Sequence, residues 1–386
     1  MLFEYLLSMK IVNRYISQLL PIVLWLSATT VFAVSSDTLS ILFAGDLMQH
    51  DAQIKAAKRV GNIYDYSNSF SNVKQYIRSA DIAVGNLEVT LGGPPYSGYP
   101  AFSAPDEFLF AVRDAGFDVL VTANNHCLDR GKPGLERTIE ILDSLKIRRA
   151  GTYKNVDDRI HNYPLLVEKK GFKVAFLNAT YGTNGIYVTK PNIVNLIDRK
   201  QLAHDIMKVR LMKPDIIIAF MHWGTEYRTT PSSGEIELAK WLIDMGVDHV
   251  IGSHPHVIQP IAMLGDSISP RKHLVVFSLG NYISNMSARN TDGGMSVKLY
   301  FKKVNGMTRL LSFEKSLVWT SRPVLNCKSD FILYPSDVDV KYLNDNEKQK
   351  MNRFLKDADS ILKNGDSIFY LDKNEKKQAK SLQKRK

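Results

Sequence analysis

Histidine, aspartate, glutamate and asparagine recur in this sequence just beyond short apolar runs. Asp46 lies in Gly45-Asp46-Leu47-Met48-Gln49-His50, and Glu88 closes Gly85-Asn86-Leu87-Glu88. Asn125, His126 and Asp129 lie in Asn124-Asn125-His126-Cys127-Leu128-Asp129-Arg130-Gly131. His222 and Glu226 lie in His222-Trp223-Gly224-Thr225-Glu226-Tyr227, and His254 and His256 in Gly252-Ser253-His254-Pro255-His256-Val257. Asn281 ends Ser278-Leu279-Gly280-Asn281. The chain has only nine histidines. His126, His222, His254 and His256 fall in these turns, and His50 follows another. Imidazole mixed with carboxylate and amide oxygen suits divalent ions such as Mn, Zn or Fe. Two such ions would activate a shared water and stabilise charge growing on a phosphoryl or carbonyl oxygen. His126 would give a proton to the leaving group. That chemistry is hydrolysis or transfer at an electrophilic phosphorus or carbon.

Each residue also has a plainer reading. Asp46 could cap a helix, Glu88 could be a surface carboxylate, and Asn124 and Asn125 could shape an Asx turn. His222 beside Trp223 could be a packed core histidine, and His254 and His256 a loop shaped by Pro255. His50 is read equally well as the first residue of a helix. Glu226 and Asp129 are read as orienters of other side chains rather than as ligands. Recurrence of the same residue types at successive strand ends favours the metal reading. Cys127 beside His126 is conceivable as a nucleophile, but neighbouring side chains on such a loop point apart.

Those turns need strands to carry them. Runs rich in β-formers recur at Leu39–Ala44, Ile82–Gly85, Val119–Thr122, Val174–Leu177, Ile216–Phe220, His249–Gly252 and Leu274–Ser278. Helical stretches lie between them at Ala52–Val60, Val73–Arg78, Asp106–Ala115, Leu135–Leu145, Lys200–Leu211 and Gly234–Met245. Leu135, Ile139 and Leu142 recur at the helical period. Ile216–Phe220 is continuously apolar, as in a strand covered on both faces. The alternation predicts an α/β fold with a buried sheet, and such sheets bind ligands beyond the carboxyl ends of their strands. Ser296–Lys302 and Thr308–Leu317 read as a hairpin around Val304-Asn305-Gly306. Asn344–Lys363 reads as a polar helix.

Composition sets the outer limits. The 386 residues are 45% hydrophobic and 23% charged, which excludes a disordered or low-complexity chain. The only two cysteines, Cys127 and Cys327, form no CxxC, which excludes a zinc ribbon or thioredoxin-like site. The formal charge is +11, but the Lys-rich stretch from Lys373 to Lys386 carries much of it. A charged terminal tail is usually solvated, so no nucleic-acid partner is expected.

Residues 1–33 read as an export signal. Lys10 and Arg14 precede apolar Leu19–Leu26, and Val31-Phe32-Ala33 fits a small-residue cleavage rule. The apolar stretch is shorter than the roughly 20 residues of a spanning helix. The expectation is a mature chain from Val34 in the periplasm or outside the cell, or a chain anchored in the membrane where the signal is not cleaved. One catalytic domain is expected over residues 38–320, followed by an extension over residues 321–386 with its Lys-rich tail.

The motif series Gly-Asp-x-Met, Gly-Asn-Leu-Glu, Asn-Asn-His-x-x-Asp-x-Gly, His-Trp-Gly-x-Glu-Tyr, Gly-Ser-His-Pro-His-Val and Ser-Leu-Gly-Asn resembles that of CapA-type poly-γ-glutamate capsule-biosynthesis proteins. That family is similar to the calcineurin-like metallophosphoesterases, and the resemblance covers about residues 38–285. It implies a four-layer αββα sandwich with a small C-terminal appendage and a two-metal centre. Carried over, Asp46 and His256 would hold the first metal, Asn125, His222 and His254 the second, and Glu88 would bridge them. His126 would act as the acid beside the metals, with Asp129 orienting it. Two departures from the wider phosphoesterase pattern stand out. Met48 replaces the histidine of Asp-x-His, so that either His50 substitutes or the first metal is held weakly, and the bridging position is Glu88 rather than Asp. The implied substrate is an anionic polymer or a phosphoester, cleaved at a γ-glutamyl amide or an ester, with envelope capsule-synthesis proteins as partners. The alternative is a non-catalytic factor that binds or exports the polymer on the same fold.

Overall fold

The computed structural model describes residues 38–265, 272–325, 328–341 and 343–365. The signal read over residues 1–33, Cys327 and the Lys-rich tail lie outside them. Two mixed sheets form the body. The first runs Ile332–Pro335, Met307–Ser321, Gly293–Val304, Thr38–Leu47, Ile82–Leu87, Val119–Val121, Arg148–Ala150. The short strand Asn281–Ile283 joins the end of Thr38–Leu47 in parallel. The second runs Ile261–Gly265, Lys272–Val276, His249–Ser253, Ile216–His222, Phe172–Thr180, Leu165–Lys169.

Period-2 alternation decides what each face buries. Ile41, Phe43, Val84 and Val121 face Val174, Phe176, Ile218, Phe220 and Ile251 in one cluster between the sheets. Phe43 packs 6.4 Å from Phe176 and 6.3 Å from Phe220, centroid to centroid. Each buried aromatic of this kind contributes about 2–3 kcal/mol over an exposed one. The outer face of the first sheet carries Leu42, Ala83 and Leu120, covered by Phe108, Leu109 and Val112 of the helix Asp106–Ala115. The outer face of the second carries Ala175, Ile217, Ala219 and Val250. Leu202, Ile206 and Val209 of Arg199–Leu211 and Leu238 and Leu242 of Ser233–Asp244 cover it. The layers are therefore helix, sheet, sheet, helix, as expected.

The hairpin forms as Gly293–Val304 and Met307–Ser321, turning through Asn305 and Gly306 at φ 52° and 76°. The segment read as an extension contributes to the body. Ile332–Pro335 pairs with Val318–Ser321. The helix Asp345–Gly365 lies against Met307–Ser321 of one sheet and Ile261–Gly265 of the other. Its Met351, Phe354, Ala358 and Leu362 join the inter-sheet core. Among the described residues, no helix is long and apolar enough to cross a membrane.

One irregularity matters for the site. Strict alternation along Thr38–Leu47 would turn Asp46 toward the outer helices. The register instead shifts between Ala44 and Asp46, a bulge with Gly45 as the extra residue. Leu47 then packs outward and Asp46 turns inward, opposite Asn86 on one side and Asn281 on the other. Bulges beside active sites commonly re-aim a side chain in this way. Gly45 also lets two backbones touch, since a Cβ there would stand 1.9 Å from the Gly280 carbonyl oxygen. Gly45→Ala is expected to destabilise the fold by about 3 kcal/mol. Denaturant unfolding checks this, and an unchanged midpoint would contradict the close approach.

Candidate metal centre

The site lies where the inner faces of both sheets run out at their carboxyl ends. Alternation from Ile216, Ile218 and Phe220 makes His222 the next inward position, and Ile251 does the same for Ser253. His222 and Ser253 are register partners. Val84 leads likewise to Asn86. The loop after Val119–Val121 supplies Asn125, His126 and Asp129, and the loop after His249–Ser253 supplies His254 and His256.

Three trios of side chains bring one ligand atom each within 4.8 Å of one another. They are Asp46–Glu88–His256, Glu88–His222–His254 and Glu226–His254–His256. The first two share Glu88. His256 Nδ1 lies 3.2 Å from Asp46 Oδ2 and 3.0 Å from Asn281 Oδ1. His222 Nε2 lies 2.7 Å from Asn125 Oδ1 and 3.5 Å from Glu88 Oε1. The other His222 nitrogen, Nδ1, is 2.9 Å from Ser253 Oγ. Asn86 Nδ2 donates to Asp46 Oδ1 at 2.8 Å and to Glu88 Oε2 at 3.1 Å. Asn124 Nδ2 donates to the Leu87 carbonyl oxygen at 2.7 Å and fixes the strand end beneath Glu88.

The electrostatics suit cations. Burial, and then the neighbouring Asp46 carboxylate, hold the Glu88 carboxyl well above the usual carboxylate range. Burial pushes His222 well below the usual imidazole range and His254 down to about 3. Neutral imidazoles are competent ligands. Glu88 Oε1 and His254 Nδ1 are buried with no hydrogen-bond partner. Buried polar atoms are normally satisfied, so such orphans call for an explanation. A cation among these donors satisfies both atoms and relieves the crowding of Glu88 against Asp46. The donor set fits divalent metal.

Backbone strain points to the same place. His254 and His256 sit at φ 99° and 57° around Pro255. Left-handed backbone at non-glycine residues costs of order 1–3 kcal/mol and clusters at functional sites.

His126 stands beside the trios. Its Nδ1 donates to Asp129 Oδ2 at 2.8 Å, and that oxygen also accepts from the Phe102 N–H at 2.8 Å. The Phe102 ring packs edge-on against His126 with centroids 4.6 Å apart. Asp129 thus holds the His126 ring by its Nδ1.

Other expectations resolve differently. Met48 packs in the outer core of the first sheet and faces away from the trios. His50 does not substitute for it. It is the N-cap of the helix Asp51–Ala57, engaged by Gln53 at 3.2 Å and by the Asn285 N–H at 3.3 Å. Burial pushes His50 down to about 4. Cys127 is a buried free thiol pushed up to about 12, so it is no nucleophile. Glu226 joins a trio with His254 and His256 rather than orienting another residue.

Three neighbours had escaped the sequence reading. Asn86 carries no motif signal of its own beside Glu88, although its inward position follows from Ile82 and Val84. Tyr181 packs 4.5 Å from the His254 ring, and Asn184 Oδ1 accepts from Asn125 Nδ2 at 3.2 Å. Both lie in a loop without any readable motif.

A histidine, carboxylate and amide centre at the shared carboxyl end of two stacked sheets defines a candidate metal-binding αββα protein. Its family is shown by sequence. The model of the bacterial capsule synthesis protein family PGA_cap matches residues 40–286, and the chain belongs to that family. It is 27% identical over 311 residues to the capsule biosynthesis protein CapA of Bacillus anthracis, covering 75% of this chain and 73% of that one. It is 24% identical over 323 residues to the PGA biosynthesis protein CapA of Bacillus subtilis strain 168, covering 78% and 80%. A shorter match, 26% over 159 residues, is to a probable polyglutamine synthesis accessory protein of Mycobacterium tuberculosis, covering 37% and 40%. Among solved structures it is similar to the calcineurin-like phosphoesterase YfkN of Bacillus subtilis. That match has 14% identity, covers 85% of this chain and 98% of that one, and has a TM-score of 0.42.

Proposed function

We propose that this protein is an exported two-metal hydrolase that cleaves an anionic polymer, of the poly-γ-glutamate type, or a phosphoester during capsule biosynthesis. The observation that carries the reading is the pair of trios sharing Glu88, with Glu88 Oε1 and His254 Nδ1 buried and unpartnered. The polymer class is supported by the name of the Bacillus subtilis relative, a PGA biosynthesis protein, and the capsule setting by that of the Bacillus anthracis relative. Export follows from the signal read in residues 1–33, and envelope capsule-synthesis proteins are the proposed partners.

Asp46, Glu88 and His256 would hold one divalent ion, and Glu88, Asn125, His222 and His254 the other. Ions so placed supply Lewis acidity and lower the pKa of water toward neutrality. The chain's own groups do the rest. Asn86 holds Asp46 and Glu88 in place through one amide. Ser253 and Asn281 fix the rings of His222 and His256. Asp129 occupies His126 Nδ1, which leaves Nε2 to pass a proton to the leaving oxygen or nitrogen.

A second reading is favoured by one observation. Neither Met48 nor His50 reaches the Asp46 trio, so that half of the centre has few donors. A protein with one metal would then act as an accessory factor that binds or exports the polymer. Metal analysis after dialysis against Mn, Zn or Fe separates the two. The hydrolase binds two equivalents per chain, while one or none supports the accessory factor.

A further inference from the structure

An open pocket of about 470 Å³ lined by none of the trio residues plays no part in the chemistry described above. Its lining includes Lys55 of the helix Asp51–Ala57, Lys58 just after that helix, Asn285, Arg322 and Phe331. Arg322 Nε donates to Asn285 Oδ1 at 3.2 Å, and its Nη2 donates to the Met286 carbonyl oxygen at 2.7 Å. Its guanidinium sits 5.8 Å from the Phe331 ring centroid. These contacts hold the guanidinium in one place but leave its charge unneutralised. Among the described residues, Lys55, Lys58 and Arg322 form no ion pair, and no carboxylate lines the pocket. The Asp292 carboxylate attracts the guanidinium through space but makes no ion pair with it and accepts from Trp319 Nε1 at 2.8 Å. A partly buried, hydrogen-bonded guanidinium that lines one pocket with two lysines is costly without an anion and strong with one. Arginine held in a fixed orientation is suited to planar carboxylate.

The pocket connects to the metal centre through two residues. Asn285, which accepts from Arg322, donates its own N–H to His50 Nδ1. The His50 ring packs 5.3 Å from Phe102, which packs on His126.

We propose that Arg322, Lys55 and Lys58 form an anion subsite that holds a side-chain carboxylate of the polyanion whose scissile bond lies at the metal centre. This rests on the proposed function above and adds how the chain is threaded. The subsite selects carboxylate-bearing polymer and fixes the direction in which it runs across the site.

Binding of a fluorescent γ-linked decaglutamate to the full chain, with metals chelated, tests the subsite without any turnover. Arg322→Gln is expected to weaken binding about tenfold. Lys55 and Lys58 are exposed, so Lys55→Gln/Lys58→Gln keeps the fold and is expected to weaken binding about threefold. Lys200→Gln/Lys240→Gln, on helices of the other sheet, should change nothing. Wild-type affinity in the Lys55/Lys58 and Arg322 variants would overturn the subsite. So would an equal loss in the Lys200/Lys240 control, which would mark non-specific attraction. Inorganic phosphate competing at lower concentration than glutamate would overturn the carboxylate assignment. A failure of the hydrolase reading shows separately, as absent turnover with these affinities intact.

Discussion

Glu88→Ala is expected to empty the metal centre, because both principal trios depend on this one carboxylate. Glu88 is fully buried, and its Oε1 lies 3.5 Å from His222 Nε2 and 3.8 Å from His256 Nε2. Loss of an orienting neighbour alone typically costs 10–100-fold in metal affinity, and loss of a shared ligand costs more. The variant should bind less than one equivalent of metal where the wild type is expected to bind two, and turnover should fall by about a thousandfold or more. Its fold should survive. The uncharged cavity removes the crowding between Glu88 and Asp46, so stability without metal should hold or rise. Metal analysis and thermal melting with and without metal check both halves. Full metal occupancy in Glu88→Ala would place the ions elsewhere.

His126→Ala should act on chemistry and spare metal binding. His126 belongs to none of the trios, and its Nδ1 is committed to Asp129. Loss of a general acid typically costs 10²–10⁴-fold. The expected result is a kcat lowered by about that factor at unchanged metal content, with the larger loss for substrates that have poor leaving groups. Asp129→Asn should lose less, since the carboxylate acts only by holding Nδ1 of the ring and so turning Nε2 toward the leaving group. A kcat unchanged by His126→Ala would remove this residue from the mechanism.

The strands and helices were largely legible because period-2 and helical patterns are read directly from apolar spacing. Ile216–His222 shows this well, since its alternation also predicts that His222 faces inward. Asp46 was legible as a donor but not in its direction, which depends on a bulge that alternation cannot reveal. The short strands Arg148–Ala150 and Leu165–Lys169 carry charged residues and too few apolar ones to stand out. The last helix reads as polar in sequence. Met351, Phe354, Ala358 and Leu362 nevertheless recur at spacings that bury one narrow stripe. Residues after 320 were therefore separated from a body to which they contribute a strand and a helix. Tyr181 and Asn184 reach the site from a loop, and loop trajectories are set by tertiary packing rather than by local pattern.

The central claim is tested most directly by turnover. Purified mature protein, stripped by chelation and reloaded with Mn, Zn or Fe, would be given poly-γ-glutamate and p-nitrophenyl phosphodiesters. The account predicts cleavage of at least one of them that appears only with metal and is lost in His254→Ala. No cleavage of either class with any metal, in protein that still binds polymer, would contradict it and leave the accessory role.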